Sequence, residues 1–149
     1  MTPWRFCNKC FCLFFDGNPQ KGRCPAGDGH TAQGLTFNLP HDIPETGHDQ
    51  AHWRFCNKCE CLFFAGSPQH GTCAAGGAHE TRSNANFVLH HDAPENFPMT
   101  QAAWRFCDRC FGLFFDGSSG KGVCPAGGQH QAAGFNFVLR TTEVKIDTN

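Results

Sequence analysis

Short apolar runs broken by turn formers set the pattern of this chain. Trp4-Arg5-Phe6 and Leu13-Phe14-Phe15 are aromatic-rich and flanked by polar residues and glycine, which predicts strands too brief to be helices. Phe135, Phe137 and Leu139 recur at period two, so they should share one strand face, with Asn136 and Val138 on the other. Leu35 to Leu39 and Asn86 to Leu89 are stretches of the same kind. Gly17-Asn18-Pro19 and Gly117-Ser118-Ser119-Gly120 read as turns between strands. No long 3.6-residue period interrupts this pattern, so the expected class is all-β.

These runs belong to one unit written three times. Trp4-Arg5-Phe6-Cys7 returns as Trp53-Arg54-Phe55-Cys56 and as Trp104-Arg105-Phe106-Cys107. Within the windows 4–30, 53–79 and 104–130, 14 positions are identical in all three copies, following W-R-F-C-x-x-C-x-x-L-F-F-x-G-x-x-x-x-G-x-C-x-A-G-x-x-H. The repeats set the organisation at 4–52, 53–103 and 104–149, expected to form a single compact domain over 1–149. Pro40 to His52 and His90 to Ala103 are polar, contain proline and share H-D-x-P-E (His41 to Glu45, His91 to Glu95), so they read as connectors. One extra residue between His79 and Leu89 marks a surface loop.

Cysteine spacing carries the chemistry. Cys7, Cys10 and Cys24 are followed by His30; Cys56, Cys59 and Cys73 by His79; Cys107, Cys110 and Cys124 by His130. Three thiolates and one imidazole at C-x-x-C … C-x5-H make the donor set of a closed tetrahedral Zn²⁺ site, so three structural zinc ions are expected. A unit this small needs such a tie, because domains below about 40 residues rarely bury enough apolar surface to stand alone. Disulfides fit less well, since three kept cysteines per unit and 11 in total are both odd numbers. An iron–sulfur centre or a redox C-x-x-C is the remaining alternative, without the βαβ surroundings of a thioredoxin-like motif. Cys12 and Cys61 give way to Gly112 in the third copy, so that thiol is dispensable where the histidine is not. Lys9, Lys58 and Arg109 inside the knuckles, and Arg5, Arg54 and Arg105 before them, are expected to offset thiolate charge.

Charge narrows the partners. Twelve basic and 13 acidic side chains give a formal net charge of −1, which leaves no electrostatic footprint for duplex nucleic acid. Each zinc with three thiolates carries one net negative charge, taking the total to about −4. That also opposes single-stranded nucleic acid, the third function considered, although knuckles with exposed aromatics can stack bases. No apolar run approaches the ~20 residues of a membrane span. Met1-Thr2-Pro3-Trp4 lacks a basic and an apolar region, so no signal peptide is expected, and reduced thiolates suit a cytoplasmic address.

The stretch Phe6-Cys7-Asn8-Lys9-Cys10-Phe11-Cys12-Leu13-Phe14-Phe15 resembles the first knuckle of zinc-ribbon and rubredoxin-like modules, where an aromatic precedes C-x-x-C and a hairpin follows. It departs in the second arm, where Cys24 and His30 flank a Gly-rich loop in place of a second C-x-x-C. Three all-β units of about 50 residues also look like the architecture of β-trefoil lectins. These resemblances imply a pseudo-threefold, β-trefoil-like arrangement of zinc-tied hairpins with an outer strand each; three tandem zinc-ribbon beads are the alternative. Pairing of the Phe-Val-Leu strands and Trp-Arg-Phe strands between neighbouring units is expected to join them.

No nucleophile–base pair or paired carboxylates recur, and a four-ligand zinc leaves no open position, so an enzyme is not expected. A non-catalytic multivalent binding module, carbohydrate-binding and lectin-like, is the first expectation. Trp4, Trp53 and Trp104 would stack on sugar rings, with Asp16, Asp116, Asn38, Asn86 and Asn136 as polar partners; Ala65 replaces the aspartate in the second copy. The alternative is a structural scaffold for a protein partner. His90-His91 is a further metal candidate, and the other unshared histidines belong to solvated loops. The oligomeric state does not follow from the sequence.

Overall fold

The computed structural model describes residues 1–92 and 99–142. Glu95 of the second H-D-x-P-E element lies outside them. Each unit folds its knuckle into a hairpin: β1 (Trp4–Cys7) pairs antiparallel with β2 (Leu13–Phe15), β4 (Asp49–Phe55) with β5 (Leu62–Phe64), and β7 (Thr100–Cys107) with β8 (Leu113–Phe115). The outer strands β3 (Ala32–Phe37), β6 (Phe87–His91) and β9 (Ala132–Arg140) lie on the other side of β1, β4 and β7. All described elements are strands, as the aromatic runs predict.

Two sheets result, β2-β1-β3 and β5-β4-β6-β9-β7-β8, the larger forming a nearly closed barrel. Trp-Arg-Phe strands therefore pair with the outer strand of their own unit, not of a neighbour. Between units, the Phe-Val-Leu strands β6 and β9 do pair, antiparallel. His91 of β6 faces Phe137 of β9, and single bridges join His41 to Phe87 and Phe37 to Thr141. At the hairpin tips, Cys12 bridges Phe114, Phe14 bridges Cys61, and Phe63 bridges Gly112.

Period-two alternation splits the interior into two layers. Along β2, Leu13 turns to an apolar core with Trp4, Phe37 and Leu39, while Phe14 turns to a second core among the cysteines. Leu62/Phe63 and Leu113/Phe114 divide the same way. The tryptophans knit the units together: Trp4 meets Phe87, Trp53 meets Phe137 and Trp104 meets Phe37, each edge-on at 5.3 Å. All three are 0% exposed, so they cannot stack on a sugar; a large aromatic at a strand start gains more by burial here than by waiting for a ligand.

Two further expectations need correction. Val138 is buried and Phe135 is 40% exposed, stacked on His91 at 3.7 Å, so strict alternation fails along β9. Register shifts in the β7–β9 pairing accompany this break. The connectors also contribute strand: β4 begins at Asp49, and β7 at Thr100. They deliver Gln50 and Gln101, whose Oε1 atoms accept the Trp53 and Trp104 indole N–H at 3.0 Å.

Candidate metal centres

In each unit the C-x-x-C turn connects the two hairpin strands, and the Gly-rich second arm wraps back over it. Backbone bonds set that turn: Phe11 N donates to Cys7 O, Glu60 N to Cys56 O and Phe111 N to Cys107 O, all at 2.8 Å. Lys9 Nζ reaches the Gly27 carbonyl at 2.7 Å and Lys58 Nζ that of Gly76 at 2.6 Å; Arg109 holds Ala126 O and Gln129 O. The knuckle cations thus clasp the second arm. The arginines expected to offset thiolate charge instead bind carbonyls near the outer strand, Arg5 at Gly34, Arg54 at Ser83, and Arg105 at Gly134 and Phe135.

The wrapped arm completes three four-donor sets. Cys7, Cys10, Cys24 and His30 bring their ligand atoms within 4.8 Å of one another, as do Cys56, Cys59, Cys73 and His79, and Cys107, Cys110, Cys124 and His130. The Cys7–Cys24, Cys56–Cys73 and Cys107–Cys124 sulfurs lie 3.9, 3.8 and 3.9 Å apart. Cys10, Cys59 and Cys110 sulfurs each lie 3.5 Å from the Nδ1 of their histidine. Tetrahedral zinc with Zn–S about 2.3 Å and Zn–N about 2.0–2.1 Å requires edges of roughly 3.8 and 3.5 Å. The donors fit that ion. A disulfide would need about 2.05 Å between sulfurs, and all 11 cysteines are free. All twelve donor residues are buried, and this structural zinc would supply folding energy.

The histidine tautomer follows from its second contact. His30 Nε2 lies 2.9 Å from the Cys59 carbonyl, His79 Nε2 2.9 Å from that of Cys110, and His130 Nε2 2.9 Å from that of Cys10. A carbonyl only accepts, so Nε2 carries the proton and Nδ1 keeps its lone pair for the metal. Each acceptor belongs to the knuckle of the next unit, and the third returns to the first. Phe14, Phe63 and Phe114 stack on the three imidazoles at 4.7–4.8 Å.

The clustered donor thiols titrate apart: hydrogen bonds with neighbouring sulfurs, together with burial, push Cys10, Cys24, Cys59, Cys73, Cys110 and Cys124 up. Hydrogen bonds from Cys10 and Cys24 hold Cys7 far below the ordinary thiol range, and Cys56 and Cys107 are lowered by the same pair of neighbours. Burial pulls His130 down, but the Cys107 and Cys124 sulfurs outweigh it and raise the imidazole to about 9. Cys12 and Cys61 are not among the metal donors; their sulfurs sit 3.4 Å from His130 Nε2 and 3.3 Å from His30 Nε2. Hydrogen bonds to Cys10 and Cys110 lower Cys12, yet Cys61 and burial carry it up to about 12. Native zinc-loaded protein is therefore expected to resist N-ethylmaleimide at all 11 cysteines and to react at all of them after chelation, read by intact mass.

The other proposed site residues do not converge. Asp16 is paired with Lys21 at 2.8 Å and Arg5 at 3.8 Å, and Asp116 with Lys121 and Arg105. In the second unit Ala65 and His70 replace that aspartate–lysine pair together. Asn86 and Asn136 accept the backbone N–H of His52 and Ala103 at 2.7 and 2.9 Å, and Asn38 accepts from the Met1 amine at 2.8 Å. His90 Nδ1 pairs with Asp49 at 2.9 Å and His91 Nδ1 with Asp92 at 3.0 Å, so each imidazole has a carboxylate of its own. Among the described residues only the three Cys3His sets gather donors in metal geometry.

Sequence reasoning missed three kept glycines. Gly22, Gly71 and Gly122 hold φ of about 70° and lie against the Cys59, Cys110 and Cys10 carbonyls, where any Cβ would collide. Their identity in all three copies was the signal. No protein-family model, curated protein or solved structure matches this chain.

Proposed function

We propose that this chain is a non-catalytic binding module in which three zinc-tied units hold their outer surfaces in fixed relation, with neutral carbohydrate as the ligand class. One observation carries the reading: every cysteine and histidine gathered in metal geometry is spent in a buried four-donor set. Such a centre offers no open position for water or substrate, so the outward surface meets the partner. The contacts that pass from unit 1 to 2, 2 to 3 and 3 to 1 support one domain closed head to tail over beads on linkers. No helix is long and apolar enough to cross a membrane.

A formal charge near −4 with zinc bound disfavours nucleic acid, and neutral glycans need no charge complement. On an array of glycans the zinc-loaded protein should select neutral structures, and it should ignore single-stranded oligonucleotides even at low salt, where electrostatic binding is strongest. A flat response to every glycan would remove the carbohydrate reading.

A further inference from the structure

Two openings at the unit boundaries share one design. The first, about 420 Å³, is walled by Phe6, Phe11 and Leu35 of unit 1 and by Phe115 and Ser118 of unit 3. The second, about 270 Å³, is walled by Phe106, Phe111 and Phe135 of unit 3 and by Phe64 and Ser67 of unit 2. These residues correspond one to one by position in the repeat. Their rings correspond in space as well. Phe6–Phe11 and Phe106–Phe111 are both 5.1 Å apart, and Phe6–Phe115 and Phe64–Phe106 are both 6.1 Å apart at 80° and 81°.

Each cleft also receives a glutamine, Gln101 in the first and Gln50 in the second. Tryptophan claims the Oε1 of each, which leaves the amide NH2 as a donor. The first cleft adds Asn8 and Gln33, joined by a 3.0 Å bond from Asn8 Nδ2 to Gln33 Oε1. Among the described residues, no charged side chain lines either one.

The third boundary is built differently. Glu60 takes the place of Phe11 and Phe111, is buried, and accepts a 3.0 Å bond from Asn18 Nδ2 of unit 1. Asn18 stands where the other boundaries have Ser67 and Ser118. A hydrogen-bonded carboxylate thus replaces the outer ring.

Phe11 and Phe111 sit at φ of 73° and 70°, in the left-handed region that favours glycine or asparagine. Local backbone preference does not put a phenyl ring there. Aromatic rings beside neutral amides and a hydroxyl suit a ligand with an apolar C–H face and many hydroxyls. An ionic ligand would lose hydration without a counter-charge. A proline-rich peptide presents chiefly carbonyl acceptors, whereas here the glutamine NH2 groups donate and the serine Oγ atoms can accept, the mixed set a polyol requires.

We propose that each of these two clefts takes one pyranose ring of a neutral oligosaccharide, two per chain, with Phe11 and Phe111 as the contact rings. This rests on the carbohydrate reading above and adds its location and stoichiometry. The test is calorimetric titration of the zinc-loaded full chain with maltotriose, cellotriose, chitotriose and mannotriose. At least one should bind at two sites per chain. Phe11→Asn or Phe111→Asn, residues the left-handed backbone accepts, should each remove one site, and the double variant should bind at least tenfold more weakly, with zinc content unchanged. On the unaltered chain, sugar should shift the amide resonances of Gly34 and Gly134 and leave Glu60 in place, a readout independent of variant folding. Undiminished binding by the double variant, or shifts at Glu60, overturns the cleft assignment and leaves the carbohydrate reading standing. Failure of all four sugars overturns the assignment as well, and the glycan array then decides the broader reading.

Discussion

Chelating zinc from the purified protein is expected to abolish the fold in one concerted step, with three ions or none on most chains during titration. The second hairpin strand of each unit has only three residues, and the metal donors and one cation hold the second arm over the knuckle. Apparent energies of about 10–16 kcal/mol per structural zinc are as large as the net stability of a whole domain, about 5–15 kcal/mol. Loss of one ion frees a histidine whose Nε2–H holds the next unit's knuckle carbonyl, so the disturbance passes onward. Native mass spectrometry counts the ions, and loss of amide dispersion reports the fold. Abundant one- and two-ion species that keep full dispersion would sink the coupling.

The second large effect is expected from Gly122→Ala. Its Cβ would press on the Cys10 carbonyl of unit 1, the same oxygen that accepts the His130 N–H. Positive φ adds about 1 kcal/mol for alanine, and displacing backbone adds more, so a loss of roughly 3 kcal/mol or more is expected. The zinc of unit 1 should then leave faster than in the parent chain, although none of its ligands is altered. Gly22→Ala and Gly71→Ala press in the same way on Cys59 and Cys110. Gly47→Ala, with open space around its Cβ, is the control and should change little. Chemical denaturation and the rate of zinc transfer to a chelating dye measure both quantities.

The metal donors were legible in the sequence because coordination dictates residue type and spacing together, and a threefold repeat fixes which positions carry it. The strand character of Trp-Arg-Phe and Leu-Phe-Phe was legible for a similar local reason. What failed was non-local. Which strand lies beside β1 depends on how the chain returns, and Ala32–Phe37 of the same unit claims that edge. Tryptophan looked like a ligand platform because a sequence shows an aromatic being kept, not which way it faces; Phe87, Phe137 and Phe37 from neighbouring units cover it. Gln50 and Gln101 were hidden in segments read as connectors, since their purpose appears only once an indole N–H is buried above them. The clefts were invisible for the same reason, being made by two units at once.

The histidine-to-carbonyl links bear on whether one unit could stand alone. A lone copy would leave its imidazole N–H without an acceptor and its knuckle oxygen without a donor, while three separate copies joined in a circle satisfy every one. A chain carrying all three copies places every donor beside its acceptor, so each unit's stability depends on the presence of the other two.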